Sequence, residues 1–309
     1  MATGASAHVL IVAVDTEMHE FLDARGITHY FRHGDADIVT AGFNLSDSGR
    51  LAKFWAYRYA VLRALLVSGI SVVQSDVDAL FLRDPWPRIA GLEGDVVAQR
   101  GNFPFNIAKT WGATLCFGFI VYRATPATIA WFDLSFPRFL GTPDDQVSFQ
   151  RALDICSRVV WNNGHTWPES KDAHLLLKPR GVGKGDLNKV DYGVTEHPIT
   201  AKGTRLRLVL LSFAEFPRRC GLEVGYPERQ PGCLLAHCVA AKSGSSKVLD
   251  SRRRGLHFLK DGWEDELPAS GELTSAFVTR LGNGEHPMAA KPASTHFSDR
   301  PSDPPNRAN

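Results

Sequence analysis

A short apolar run, Ile70 to Val73, leads into Asp76-Val77-Asp78, and apolar residues resume at once in Ala79-Leu80-Phe81-Leu82 before Asp84-Pro85 stops them. The run reads as a buried strand. Two carboxylates one residue apart at a strand end aim acidic oxygens at a single point on the edge of a core. Such a pair repels itself and loses hydration unless a cation or strong donors compensate it. A hard divalent cation bridging phosphates calls for this placement. The plainer reading is a solvated turn that carries two Asp. The apolar flanks on both sides and the Asp-Pro stop argue against it.

Around that segment the chain has room for a large core. Its 309 residues are 44% hydrophobic and 22% charged, which suits one large or two small globular domains. The net charge of +2 does not suggest a nucleic-acid partner. Arg252-Arg253-Arg254 is a local basic cluster, read as a solvated face ahead of an anion site. The five cysteines are too few and too scattered for a disulfide scaffold, and no Cys-x-x-Cys zinc pattern occurs. Cys220 and Cys233 bracket a Gly/Pro-rich loop, where they either pair in an oxidising lumen or stay as buried thiols. No apolar stretch reaches the eighteen or so residues of a spanning helix; the best, Ala60 to Val73, is broken by Arg63. No signal peptide precedes the first strand. The expectation is a soluble chain, or a catalytic domain shown without its leader.

Strand and helix signals alternate through the first half. His8 to Val14 reads as a buried strand ending at Asp15, Thr16 to Arg25 as a helix stopped by Gly26, and Ile27 to Phe31 as a second strand. Arg50 to Ser68 is the strongest helix. Its apolar face holds Leu51, Phe54, Trp55, Ala56, Tyr59, Leu62, Leu65 and Leu66, and Gly69 closes it. Asp95–Gln99 and Thr114–Tyr122 read as strands, and Pro126 to Leu140 as a helix with proline at its start. Gly141 to Asp145 turns into a helix running through Leu153. Leu206–Leu211 and Cys233–Val239 are late strands. The alternation predicts an α/β fold with a mostly parallel central sheet flanked by helices and a more irregular C-terminal half. Residues 162–203 are expected to be loop-dominated. Residues 1–281 are expected to form one domain, and 282–309, rich in Pro, Ser and Asn, a disordered tail.

In open α/β sheets ligands sit beyond the carboxyl ends of the strands. Asp15, the Asp76/Asp78 pair and the Gly118 region are expected to converge there. The run Gly69, Ile70–Gln74, Asp76-Val77-Asp78, Leu80-Phe81-Leu82, Asp84-Pro85 resembles the signature of the nucleotide-diphospho-sugar transferases, closest to glycosyltransferase family 77 with its plant and algal xylosyl- and arabinosyltransferases. The resemblance runs over roughly residues 8–260 and implies a GT-A-type fold. It implies Asp78 as the main metal ligand, with Asp76 on the same metal or on ribose. His237, in Leu-Leu-Ala-His-Cys-Val, matches the family's late metal-binding His, although a lone His between apolar residues is also the mark of a core histidine. The resemblance implies Mn²⁺ or Mg²⁺ as the metal, and an imidazole ligand tips the choice towards Mn²⁺.

Further positions follow from the same resemblance. Lys247 would reach the diphosphate as a point charge or stand as an ordinary surface lysine. Asp145-Gln146 matches an Asp-Gln pair facing the reacting sugar, although Asp145 or Asp144 can equally cap the helix that follows. Leu115-Cys116-Phe117-Gly118-Phe119 resembles an Asn-x-Gly-Phe strand end, with Cys116 in the Asn position; Gly118 would admit a ligand close to the backbone. Arg58 would contact phosphate or form an ordinary ion pair, and Asp15 would hold uracil or ribose or sit in a turn.

These residues point to a metal-dependent enzyme. It would move a sugar from a nucleoside-diphosphate sugar, UDP-linked by resemblance, to a hydroxyl on a glycan or glycoprotein, with retention. Two rivals share the motif. A haloacid-dehalogenase-type phosphohydrolase also follows a strand with Asp-x-Asp, but there the pair follows the first strand and Thr or Val stands where this chain has Leu80. A binding protein without turnover would keep the pocket. Family members usually work in the Golgi lumen behind an N-terminal anchor.

Overall fold

Thr114–Tyr122 is buried along all nine of its residues, which explains why its sequence is apolar without alternation: both of its faces are covered. This strand is the spine of the computed structural model, which describes residues 9–13, 15–31, 49–76, 78–101, 103–111, 113–136, 144–161, 189–218 and 232–237.

Helix α1 (Thr16–Asp23) follows Asp15, whose side chain accepts from the Met18 amide and caps it; Gly26, at φ +61°, turns the chain out of the helix. Helix α2 (Gly49–Val67) ends as its sequence predicts. Gly69 adopts φ +80°, and the amides of Gly69 and Ile70 bond back to Leu66 and Leu65. Strand β1 (Val72–Ser75) leads to the acid pair, and β2 (Ala79–Phe81) follows it. Asp84 then accepts from the Trp86 amide at 3.0 Å, opening the short α3 (Trp86–Ala90). Next come β3 (Val96–Gly101), α4 (Phe105–Trp111), β4 (Thr114–Tyr122), α5 (Pro126–Ser135) and α6 (Asp145–Cys156). The order closes with β5 (Val159–Trp161), β6 (Asp191–Thr195), β7 (Arg207–Leu210) and β8 (Leu235–His237).

Six strands form one sheet in the order β1-β4-β3-β7-β6-β5, and β2 pairs with β8 in a separate two-stranded ribbon. The α/β architecture stands, but the expected parallel character is seen only in part. Among the described residues β3–β7 and the isolated bridge Val12–Tyr30 are parallel, and the other pairings are antiparallel. Alternating strand and helix signals do not encode direction. Gly101 pairs with Thr114, so the chain through α4 turns straight back instead of crossing the sheet. The stretch expected to be loop contains the strand β6, and the tail from 282 lies outside the described residues.

Two apolar layers sandwich the sheet. On the helical side Tyr59, Phe117, Tyr122, Trp131, Phe132 and Phe149 form an aromatic cluster with ring centroids 4.2–6.3 Å apart. Truncating a ring such as Phe149 there costs about 3–5 kcal/mol. On the other side Val97, Phe119, Val121, Val209, Phe216 and Leu235 pack under the β2–β8 ribbon. The helical side takes Leu115 and Phe117 and then Ile120 and Tyr122. The parity of β4 therefore changes in between. The register with β3 jumps there, from Ala98–Ile120 to Gln99–Cys116. Such irregularities bend a strand and re-aim its side chains.

Candidate active site

The break in β4 is where the acid pair arrives. As β1 ends, the Asp76 amide donates to the Gly118 carbonyl at 2.8 Å. The Ala79 amide then donates to the Asp76 carbonyl at 3.0 Å, so the chain turns tightly between the two acids. Ala79 is the register partner of His237 in the ribbon, which sets Asp78 beside the imidazole. One ligand atom from each of Asp76, Asp78 and His237 lies within 4.8 Å of the others. His237 Nε2 stands 3.5 Å from Asp78 Oδ1 and 4.0 Å from Asp76 Oδ2.

The opposite edge of the imidazole is fixed. Gln99 donates through Nε2 to the carbonyls of Phe216 and Pro217, at 3.0 and 2.9 Å. Its amide oxygen is therefore the end that faces His237 Nδ1, at 3.1 Å, and it must accept a hydrogen bond from the Nδ1 proton. With Nδ1 holding a proton, Nε2 is the nitrogen offered to the two carboxylates. Histidines that bind metals are oriented by such a bond at the other ring nitrogen. The ring rests on Gly118, where a β-carbon would stand 1.9 Å from Cε1. Cys116 Sγ lies 3.6 Å from Nδ1.

The charges can accommodate a divalent cation. Burial lifts the Asp76 carboxyl above its ordinary range, with Asp78 and Asp145 adding to the rise against the pull of His237 and Arg58. Burial opposes a charged His237, but the Asp78 carboxylate and the Cys116 sulfur outweigh it and raise the imidazole to about 9. The Cys116 thiol, which burial would push up, is drawn below its usual value by the Arg218 charge and the His237 contact. With the imidazole neutral, as a metal ligand must be, the two carboxylates carry a formal charge of −2, which one divalent cation would balance in place of the imidazolium proton. Mixed oxygen and imidazole donors suit Mn²⁺ better than Mg²⁺. The donor set therefore fits a divalent cation.

A second acid lies alongside. Asp144 is the cap of α6, accepting from the Val147 amide at 2.8 Å, which resolves the choice left open by the sequence. Asp145 is buried in the first turn. Its Oδ1 accepts from the Gln146 amide at 2.6 Å, and its Oδ2 accepts from the Tyr59 hydroxyl at 3.3 Å and from the Arg58 guanidinium. Arg58 Nη1 is also 3.9 Å from Asp76 Oδ1, so Arg58 faces both acids. Phe54, one turn earlier on α2, lies with its ring 5.7 Å from that guanidinium and is 39% exposed, not buried on the helix's apolar face.

Gln146 is occupied with backbone. Its Oε1 accepts from the Phe117 amide at 3.0 Å and its Nε2 donates to the Phe103 carbonyl. Gln74 donates to the Phe117 carbonyl at 2.8 Å, and Gln150 accepts from the Leu115 amide at 2.9 Å. Side-chain amides thus satisfy the backbone groups that the break in β4 leaves unpaired. Asp15 serves as the cap of α1, exposed, with its carboxylate 2.7 Å from the Met18 amide. Lys247 and Cys220 lie outside the described residues, and Cys233 is buried.

The structure therefore joins Asp76, Asp78, His237 and Gly118, and links them through Arg58 to Asp145. Gln99 and Tyr59 escaped the sequence reading as site residues. A glutamine closing the apolar run Val96-Val97-Ala98 was the signal for Gln99, because a polar amide there must be satisfied inside the core.

Residues 4–155 match the model of the nucleotide-diphospho-sugar transferase family. The chain resembles that family over this stretch, just under half of its length, which bears out the resemblance carried by the acid-pair signature. Within the match lie β1, the acid pair, β4 and the start of α6; His237 is beyond it. The chain is also similar to an arabinosyltransferase of Arabidopsis thaliana, RRA2, 34% identical over 80 residues. That alignment covers 26% of this chain and only 18% of the relative. No solved structure matches the chain. No helix among the described residues is long and apolar enough to cross a membrane.

Proposed function

We propose that this nucleotide-diphospho-sugar transferase-like chain moves a sugar from a nucleoside-diphosphate sugar, UDP-linked, to a hydroxyl on a glycan or glycoprotein. One observation carries the reading: two carboxylates and the Nε2 face of a pre-oriented imidazole converge within 4.8 Å beside a family-matching strand. Asp76, Asp78 and His237 would hold one Mn²⁺. When bound, that ion neutralises charge developing on the departing diphosphate.

The remaining roles belong to the chain itself. Asp145 faces the donor sugar and stabilises positive charge at the anomeric carbon. Both its oxygens are already bonded, which suits an electrostatic role better than a covalent one. Retention then follows from a front-face reaction in which the leaving phosphate takes the acceptor proton. Gln146 holds the backbone beside the site. By family resemblance Lys247 meets the diphosphate, Asp15 the nucleoside, and the reaction belongs in the Golgi lumen.

A panel of UDP- and GDP-sugars with Mn²⁺ or EDTA tests this, read by release of nucleoside diphosphate. Release with Mn²⁺ and its loss in EDTA are expected. Hydrolysis of a simple aryl phosphate, with every nucleotide sugar left intact, would instead establish the phosphohydrolase reading.

A further inference from the structure

Arg58 is one guanidinium between two acids that have different tasks. It donates to Asp145 Oδ2, and its Nη1 is 3.9 Å from Oδ1 of Asp76, one of the three candidate ligands. The guanidinium stays charged at any working pH, so its charge persists when a cation arrives. Its backbone position is fixed within the long helix α2, and the neighbouring Tyr59 is fully buried and also donates to Asp145. The side chain therefore has little freedom except to divide its attraction between Asp76 and Asp145.

We infer that Arg58 is a positioning residue that couples cation loading to the alignment of Asp145. It draws on Asp76 through Oδ1 while Oδ2 faces His237, so it opposes the cation at Asp76 by its charge and leans further on Asp145 once the cation is bound. Coupling of this kind is reciprocal: whatever Arg58 subtracts from cation affinity, the cation subtracts from the hold of Arg58 on Asp76. Arg58 thus weakens metal binding and supports turnover at once, a pairing of effects that simple structural support does not produce. The inference rests on the proposed cation site, and it assigns Arg58 to the acids in place of the phosphate contact that the family resemblance implied.

The test measures Mn²⁺ affinity directly, by the paramagnetic signal of free Mn²⁺, and donor turnover separately. Arg58→Gln is expected to bind Mn²⁺ about threefold tighter or more, the size expected of one partly exposed like charge removed. At saturating Mn²⁺ its turnover should fall about a hundredfold, because Asp145 loses its aim. Arg58→Lys keeps the charge without the fork and should hold Mn²⁺ near the wild-type affinity while restoring turnover only in part. Asp145→Asn hands the guanidinium to Asp76 and should bind Mn²⁺ more weakly than wild type.

Equal or weaker Mn²⁺ binding by Arg58→Gln overturns the inference. Should that variant fail to fold, unchanged or tighter binding by Asp145→Asn overturns it instead. A wild-type chain that binds no Mn²⁺ removes the cation site itself and the inference with it, an outcome distinct from failure of the coupling alone.

Discussion

The imidazole of His237 occupies the space that a β-carbon on residue 118 would need: such an atom would stand 1.9 Å from Cε1 and 2.4 Å from Nδ1. Both groups are held. Gly118 is built into β4 and its carbonyl receives the Asp76 amide, while the His237 ring is bonded to Gln99. Gly118→Ala should therefore drive the imidazole out of place. We expect a loss of about 1–3 kcal/mol in stability from overpacking. Mn²⁺ affinity should fall much further than that loss accounts for. Thermal unfolding with and without Mn²⁺ measures both; a stable Gly118→Ala chain with undiminished Mn²⁺ binding would refute the assignment.

Gln99 fixes which nitrogen of His237 is offered to the acids. Replacing it with leucine takes a donor from the carbonyls of Phe216 and Pro217 and leaves the proton on Nδ1 only the longer contact with Cys116 Sγ. Mn²⁺ affinity should drop about 10- to 100-fold, the usual cost of losing the group that orients a metal-binding histidine. Titration calorimetry reads the change.

Asp144 and Asp145 are neighbours with separate duties, and substitution should split them. Asp144→Ala removes a helix cap, for about 1 kcal/mol of stability, and turnover should stay within about twofold of wild type. Asp145→Ala removes the carboxylate that Arg58 and Tyr59 hold in place and should abolish measurable transfer. Parallel assays of nucleotide release decide the matter; equal losses in both variants would mean that the capping role alone explains this turn.

In metal-free protein the raised pKa of His237, about 9 against 6.5 for a free imidazole, links folding to pH. The folded state holds this proton more tightly than the unfolded chain does. Its stabilisation is complete below about pH 6.5 and is lost as pH rises through about 9, on the order of 2–3 kcal/mol. The lowered Cys116 thiol links folding to pH in the opposite sense over the same interval, so the measurement is the difference in melting temperature between EDTA-treated wild type and His237→Gln, which should shrink as pH rises from 6.5 to 9. A difference that grows across that interval would contradict the arrangement.

Much of this site was legible because it depends on local chemistry. Asp76 and Asp78 announce themselves as two carboxylates set against apolar flanks, and Gly69 ends α2 at the positive φ that its place predicted. Strand direction was not legible. Thr114–Tyr122 is equally apolar whether its neighbours run with it or against it, because burial of both faces depends on the covering layers and not on pairing sense. Nor did the sequence show that Arg58 would lean on Asp145, 87 positions away, or that Gln146 would be consumed by the Phe117 amide. Those partners follow from how β4 breaks; Gly118 marks a bend in the strand but does not tell which distant groups the bend brings together.

The ribbon formed by β2 and β8 sets the order in which the site is assembled. Asp78 precedes its histidine by 159 positions, so the acids are synthesised first and His237 follows. A nascent chain interrupted between residues 78 and 237 has both carboxylates without the third donor, so the donor set is complete only once the ribbon closes.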